Sequence, residues 1–245
     1  MNTLEKVKYI SNWIKSYVDQ MPSKAQSLVV GISGGIDSSV SSTLSAMTGL
    51  RTIVLSMPIK QKENQHDLSL KHQAWLVKNF KNVEAHTISL DNLFESFSST
   101  LGKFNNEHGF ANSRARLRMA TLYQVAAANK GIVVGTGNKV EDFGVGFYTK
   151  YGDGGVDISP IADCNKTEVW ELGKELGILK EIIDAPPTDG LWDDGRTDEG
   201  QLGFKYEDLE DAMANPDSPH KTEYEKIRKQ NLHKMEPIPV CKIPS

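Results

Sequence analysis

Six residues, Ser33-Gly34-Gly35-Ile36-Asp37-Ser38, follow the Val-rich run that ends in Gly31 and Ile32 and precede a helical pattern. Their types suit an anion. Two adjacent glycines remove Cβ atoms where backbone must approach a ligand, and they permit unusual dihedrals. Backbone N–H groups at the opening of a helix point outward and favour negative charge. Ser33 and Ser38 add hydroxyl donors. Asp37 would repel a phosphate unless a cation lay between them, so a Mg²⁺ bridge is the natural inference. The string is neither the mononucleotide loop GxxxxGK[ST], since no lysine follows the second glycine, nor the dinucleotide GxGxxG. A capped strand-to-helix turn is the bland alternative, and the full six-residue string weighs against it.

Other segments carry chemistry less clearly. Gly135 to Glu141 (Gly-Thr-Gly-Asn-Lys-Val-Glu) also follows a strand. Taken alone, Glu141 reads as a charge at a helix start. Arg114 and Arg118 are four apart and share a helix face, while Arg116 points elsewhere; without further context these are a solvated helix side. Gly146 to Asp157 is a Gly-rich, polar stretch that contains Lys150 and Asp153. Lys166 heads a helical pattern. Thr188 to Glu199 holds five acidic residues, one arginine and two glycines. Composition alone makes it a solvated loop.

The elements that must position these residues follow from periodicity. Leu4, Val7, Ile10, Ile14 and Val18 recur at helical spacing and predict a leading helix ending near Met21-Pro22. Strands are predicted over Ser27–Ile32, Thr52–Leu55, Val83–Leu90 and Gly131–Gly135. Helices lie between them: one closing at Gly49, one containing Leu70, Trp75 and Leu76, and one or two across Asp91–Lys130. Further helices are predicted over Lys166–Leu176, Tyr206–Met213 and His220–His233. Strands alternating with helices imply βαβ units and a parallel sheet, whose ligands sit beyond the carboxyl ends of the strands. The Gly-rich loops after Ile32 and after Val134 both fall at that edge. They are expected to share one ligand.

Composition sets the outer bounds. The chain has 245 residues and a net charge of −4, with no basic stripe of the kind that binds phosphate backbones, so a nucleic-acid partner is disfavoured. No apolar run approaches the roughly 20 residues of a membrane span, and the N-terminus lacks a signal-peptide core. Cys164 and Cys241 are isolated and form no CxxC pair. They read as inert packing residues of a protein from a reducing compartment, the cytoplasm by default.

Ser33 to Ser38 resembles the SGGxDS loop of the ATP pyrophosphatases, which cleave ATP between the α and β phosphates. Three further segments resemble the NAD synthetases within that group. Ala111 to Met119 is similar to their NxxARxRM helix, and Gly146 to Asp157 to their GxxTxYGDGxxD signature. Pro187-Thr188 with Thr197-Asp198-Glu199 resembles their PTADL…DE stretch. The resemblance runs from about Gly31 to Pro239; Ile59 to His66 matches poorly, and the register between Glu141 and Lys150 varies within the family.

The resemblance implies a Rossmann-like α/β fold of the ATP pyrophosphatase type, a parallel twisted sheet with helices on both faces, and a single domain over residues 1–245. It implies amidation of deamido-NAD with ATP and ammonia through an acyl-adenylate, releasing AMP and pyrophosphate. ATP contacts would come from Gly31, Ile32, the 33–38 loop, Thr136, Lys166 and Thr188. Glu141 would join Asp37 on Mg²⁺. Arg116, Lys150, Asp157, His233 and Lys234 would contact deamido-NAD, and Asp153 would lie near the ammonia site, with Lys166 neutralising phosphates. A homodimer with dinucleotide sites at its interface is implied, and Thr188 to Glu199 becomes a candidate lid. The leading helix begins near Met1 and the matching segments run almost to Ser245, so no separate glutaminase domain and direct use of free ammonia are expected. A thiolating relative would need reactive cysteines or zinc and a basic surface, and a non-catalytic ATP-binding regulator would have no use for the Gly146–Asp157 signature.

Overall fold

Four short apolar runs, each bounded by turn residues, form parallel strands. They are β1 (Ser27–Gly31), β2 (Thr52–Ser56), β3 (Val83–Thr87) and β4 (Gly131–Val134). The computed structural model describes residues 1–60, 63–188, 191 and 197–244, the side chains of 63–66 excepted. Residues 61 and 62 of the poorly matching loop, and most of the 188–199 stretch expected to be a lid, lie outside the described residues.

The sheet order is β3-β2-β1-β4, with Val29 opposite both Ile53 and Val133. From β1 the chain moves outward to β2 and β3, then returns to place β4 on the other side of β1. The carboxyl ends of β1 and β4 are therefore a topological switch point, where crossovers on opposite faces leave a crevice. Both predicted ligand loops leave the sheet there.

Alternation along the strands feeds two cores. Leu28, Val30, Val54, Ile132 and Val134 face α1 (Thr3–Gln20), α2 (Ile36–Met47), α3 (Glu63–Asn79) and α6 (Lys166–Glu175). Val29, Ile53, Leu55 and Val133 face α4 (Asp91–Thr100) and α5 (Glu107–Ala128). Helices thus cover both faces, as a parallel sheet requires. A third cluster joins a π-helical turn, Lys139–Val145, to α9 (Tyr206–Ala214) and α10 (Lys221–Met235). Two short helices complete the path, α7 (Lys180–Ile183) and α8 (Asp198–Leu202). In α1, Leu4 is 47% exposed, because the buried stripe begins one turn later at Val7. Cys164 is buried, and burial raises its thiol to about 11; Cys241 is exposed near the C-terminus, so only Cys164 is a packing residue.

The helix α2 is unusually polar for a buried element. Ser39, Ser42, Thr43 and Ser45 turn their hydroxyls back onto carbonyls three or four residues earlier, which satisfies them without outside partners. Their small size lets α2 lie close to the sheet, α1, α3 and α6. Towards α3 the helix makes a polar contact from Ser42 Oγ to His72 Nε2 at 3.0 Å. Since Ser42 gives its proton to the Ser39 carbonyl, His72 acts as the Nε2–H donor. Its Nδ1 has no hydrogen-bond partner among the described residues, and the ring stacks on Trp75 at 5.6 Å.

Burial lowers His72 from 6.5 to about 4, only partly offset by a backbone hydrogen bond to Ser39. Between those values the unfolded chain binds a proton that the native protein refuses. The stability contributed by neutral His72 is complete above pH 6.5 and is lost as pH falls towards 4, up to about 3 kcal/mol. Urea unfolding of the native chain and His72→Gln from pH 4 to 7 measures this. The difference between their pH slopes should lie in that window, and parallel curves would show that His72 takes no part.

Candidate active site

The loop after β1 is shaped by glycine and serine. Gly34 has φ +90°, a conformation that side chains with a Cβ rarely adopt. Ser38 Oγ accepts from Ser33 N at 3.2 Å and donates to the Gly35 carbonyl at 3.0 Å, curling the loop over the start of α2. Gly35 is the N-cap and supplies no capping side chain, so the first-turn amides of α2 stay available to an anion.

The loop after β4 is tied to it by Asn138, a fully buried residue that sequence reasoning left without a role. Its Oδ1 accepts from the amides of Val140 and Glu141, capping the π-helical turn. Its Nδ2 donates to Asp37 Oδ1 at 3.0 Å, across 101 residues of sequence. Asn before a helical start is a recognisable cap signal, but its second bond needs the folded chain.

Lys166 completes the junction. It begins α6 behind an Asn165–Glu168 capping box, and its side chain is only 2% exposed. The Nζ donates to Asp37 Oδ2 at 2.6 Å and to Glu141 Oε1 at 2.8 Å. Burial works against the ammonium, yet the two carboxylates outweigh it and raise the pKa, so Lys166 remains charged. One ammonium cannot fully compensate two carboxylates. Burial accordingly raises Asp37 despite Lys166, whereas Glu141, held by the Lys166 ammonium and accepting from the Tyr206 hydroxyl, lies below its ordinary range against the opposing effect of burial. With both carboxylates ionised the group carries a net charge of −1.

This junction borders a cavity of about 400 Å³. Residues 31–38, Thr136, Glu141, Lys166 and Thr188 all line it, together with apolar side chains from Met57 and Leu122. The ATP-site residues expected from sequence are therefore brought together around one space. Arg118 lines it as well, with Nε donating to the Met57 carbonyl at 3.1 Å. Asp153 lies on the same wall beside Asp142. Burial raises Asp142 well above the usual carboxylate range, and the neighbouring charges of Asp153, Glu141 and Asp37 add to this while Lys234 opposes it. Asp142 had no sequence signal beyond its place after Glu141. Gly137 is what makes room for it, since a Cβ there would lie 1.9 Å from Asp142 Oδ2.

The residues expected on the dinucleotide are not among those lining this cavity. Arg116 is exposed and donates from Nε to the Lys150 carbonyl at 3.3 Å; Lys150 Nζ donates to the His233 carbonyl at 3.1 Å. Lys234 Nζ donates to the carbonyls of Gly146 and Tyr148. These four residues form one basic patch where the end of α10 meets residues 146–150. Asp157 stands apart from them, with Oδ2 accepting from Val133 N at 2.7 Å and Oδ1 from Tyr123 OH at 3.1 Å. Phe147, Gly152 and Asp153 belong to the same segment as Lys150 and line the cavity, so residues 147–153 connect the patch to it.

Among the described residues no cluster of three or more metal-ligating side chains exists. The Asp37–Glu141 pair converges on a single cation, the Lys166 ammonium, with a residual negative charge. Two carboxylates suit Mg²⁺, which keeps several waters and takes further oxygens from phosphates.

Comparison with known proteins adds an independent line. The NAD synthase family profile matches residues 6–243. The NH(3)-dependent NAD(+) synthetase of Carboxydothermus hydrogenoformans is 37% identical over 216 residues, covering 86% of this chain and 85% of the relative. That of Finegoldia magna is 35% identical over 236 residues, covering 96% and 94%. Among solved structures, NMN synthetase from Francisella tularensis superimposes with a TM-score of 0.91 at 32% identity, over 99% of this chain and 100% of that one.

The charge arrangement makes Lys166 a stability determinant as well as a site residue. Lys166→Met should destabilise the protein by about 3 kcal/mol, because it leaves two largely buried carboxylates facing each other. Adding Asp37→Asn should recover part of that loss. Urea unfolding of both variants at pH 7.5 checks it; a double variant no more stable than the single one would dissociate Asp37 from the penalty.

Proposed function

Because this chain belongs to the NAD synthase family, we propose that it is an ATP-cleaving ligase that converts deamido-NAD, ATP and ammonia to NAD, AMP and pyrophosphate. The observation that carries this reading is the convergence of the β1 and β4 loops, Lys166 and Thr188 on one cavity. A carboxylate does not react with ammonia at neutral pH, because its oxygen is a poor leaving group. Attack of the nicotinate carboxylate on the α-phosphorus of ATP gives an acyl-adenylate, and ammonia then displaces AMP. The α2 amides with Ser33 and Ser38 hold the departing pyrophosphate, and Thr136 and Thr188 hold the rest of ATP. Lys166 provides a buried positive charge beside those phosphates. Asp37 and Glu141 would hold Mg²⁺, which when bound supplies Lewis-acid neutralisation of phosphate charge.

Asp153 attracts and orients ammonium at the cavity wall. Arg116, Lys150, His233 and Lys234 bind the phosphates of the nicotinate nucleotide. Their position outside the cavity, with Arg116 and His233 exposed, supports a homodimer in which a second copy completes the dinucleotide site. Asp157 supports that segment through Val133 and Tyr123. We read residues 1–245 as one catalytic domain acting in the cytoplasm. Two unpaired cysteines support a reducing compartment, and among the described residues no helix is long and apolar enough to cross a membrane.

The high structural likeness to an NMN synthetase favours a second reading, in which the mononucleotide acid is the substrate and NMN the product.

Pyrophosphate release from ATP should require the nicotinate substrate, with amide formation requiring an ammonium salt and not glutamine. Asp37→Ala should reduce pyrophosphate release by roughly 100-fold or more while leaving the circular dichroism spectrum intact. Native turnover in that variant at ordinary Mg²⁺ would remove Asp37 from the site. Measuring kcat/KM for deamido-NAD and for nicotinate mononucleotide separates the two readings. A tenfold preference for the dinucleotide supports the first, and the reverse preference establishes the second.

A further inference from the structure

Tyr206, the first residue of α9, has the most enclosed large side chain beside the charge cluster, with no measurable exposure. Its hydroxyl donates to Glu141 Oε1 at 2.6 Å, and its ring face lies under the Lys166 ammonium, 4.9 Å from Nζ to centroid. Lys166 donates to the same Glu141 oxygen. Neither donor engages Oε2, so the carboxylate is held at one oxygen and presents the other. The Tyr206 hydroxyl also lies 3.4 Å from Asp198 Oδ2, and its amide donates to Glu199 Oε1 at 3.2 Å. Asp198 N in turn donates to the Pro187 carbonyl at 3.0 Å, next to Thr188. One side chain thus stands between the carboxylate pair and the segment that brings Thr188 to the cavity.

The ring and the hydroxyl have separate partners. Trp170 meets the ring edge-on at 5.9 Å, and the α9 core packs around it, so an aromatic ring alone would satisfy the packing. Among the described residues the hydroxyl hydrogen-bonds to carboxylates alone. A phenol buried among acids costs desolvation that apolar packing does not require. Its return is a fixed Glu141: a side chain already confined to one rotamer loses less entropy when a ligand arrives.

We infer that Tyr206 is a positioning residue for the metal–phosphate end of the site, its hydroxyl locking Glu141 and its ring holding Lys166 in place. The inference rests on the reading of Asp37 and Glu141 as the Mg²⁺ carboxylates. It is tested on the full chain with Tyr206→Phe, which keeps the ring. The readouts are Mn²⁺ titration followed by electron paramagnetic resonance in the presence of ATP, and kcat and KM as functions of Mg²⁺. The Phe variant should bind Mn²⁺ about 10- to 100-fold more weakly with ATP present. Its kcat should fall at limiting Mg²⁺ and return towards the native value at high Mg²⁺, with KM for the nicotinate substrate unchanged. Trp170→Phe, which disturbs the ring packing but not the hydroxyl, should lower the melting temperature and leave Mn²⁺ binding as it was. Native Mn²⁺ affinity in Tyr206→Phe, or a loss of kcat that excess Mg²⁺ does not restore, overturns the inference. A native chain that binds no Mn²⁺ with ATP overturns the underlying reading of the carboxylates, and the inference with it.

Discussion

A single buried ammonium, Lys166 Nζ, lies within 2.8 Å of carboxylates from the first turn of α2 and from the π-helical turn, and the geometry of the site depends on that contact. Removing three charged groups from water is costly, and their mutual attraction offsets this only when the distances are short and the remaining lone pairs are satisfied. Each supporting feature serves that condition. Asn138 binds the far oxygen of Asp37, Tyr206 binds Glu141, and the capping box of α6 sets the position of Lys166. Glu168 of that box also pairs with Lys6, which draws α1 against α6. The charge cluster therefore reaches, within two contacts, into helices that never touch the cavity.

Backbone proximity is the second constraint. The β1 loop turns through the positive φ of Gly34, and the β4 loop leaves room at Gly137 for a buried carboxylate. Gly135 would carry a Cβ within 2.8 Å of Val156, so the 152–158 segment lies directly against the end of β4. There Ile158 forms an isolated parallel bridge with Val134, which extends the sheet edge by one contact and fixes the segment that joins the cavity to the basic patch. A polar, Gly-rich stretch is ordered because its close approach to the sheet replaces the side-chain packing it lacks.

These two constraints divide the molecule by function. The crevice at the β1–β4 switch point gathers anion donors and a net negative cluster suited to a metal-bound phosphate. The α10 end gathers basic side chains outside the cavity, exposed at Arg116 and His233 and half-buried at Lys150 and Lys234. The strand order requires this separation: both loops must leave the same sheet edge, whereas α10 reaches residues 146–150 only after the chain has passed round α6 and α9.

The local chemistry was legible in the residues. Short apolar runs and period-3.6 patterns placed the four strands and the longer helices within a few positions, because both signals reside in neighbouring side chains, whereas the short α7 and α8 carried no such pattern. The Ser33–Ser38 string carried its own argument, since glycine freedom and helix-start amides are local properties. Arg116 was correctly separated from Arg114 and Arg118 by helical geometry alone. Asn138, Asp142 and Tyr206 were not legible, as each acquires its role from a partner distant in sequence: Asp37 for Asn138, Asp153 for Asp142, Glu141 for Tyr206. Lys166 could be placed at a helix start, but not between two carboxylates. Sequence determined which groups were available and which local shapes they would take. Tertiary structure decided which of them share a low-dielectric space, and charge interactions there depend on distances of a few ångströms that no spacing along the chain specifies.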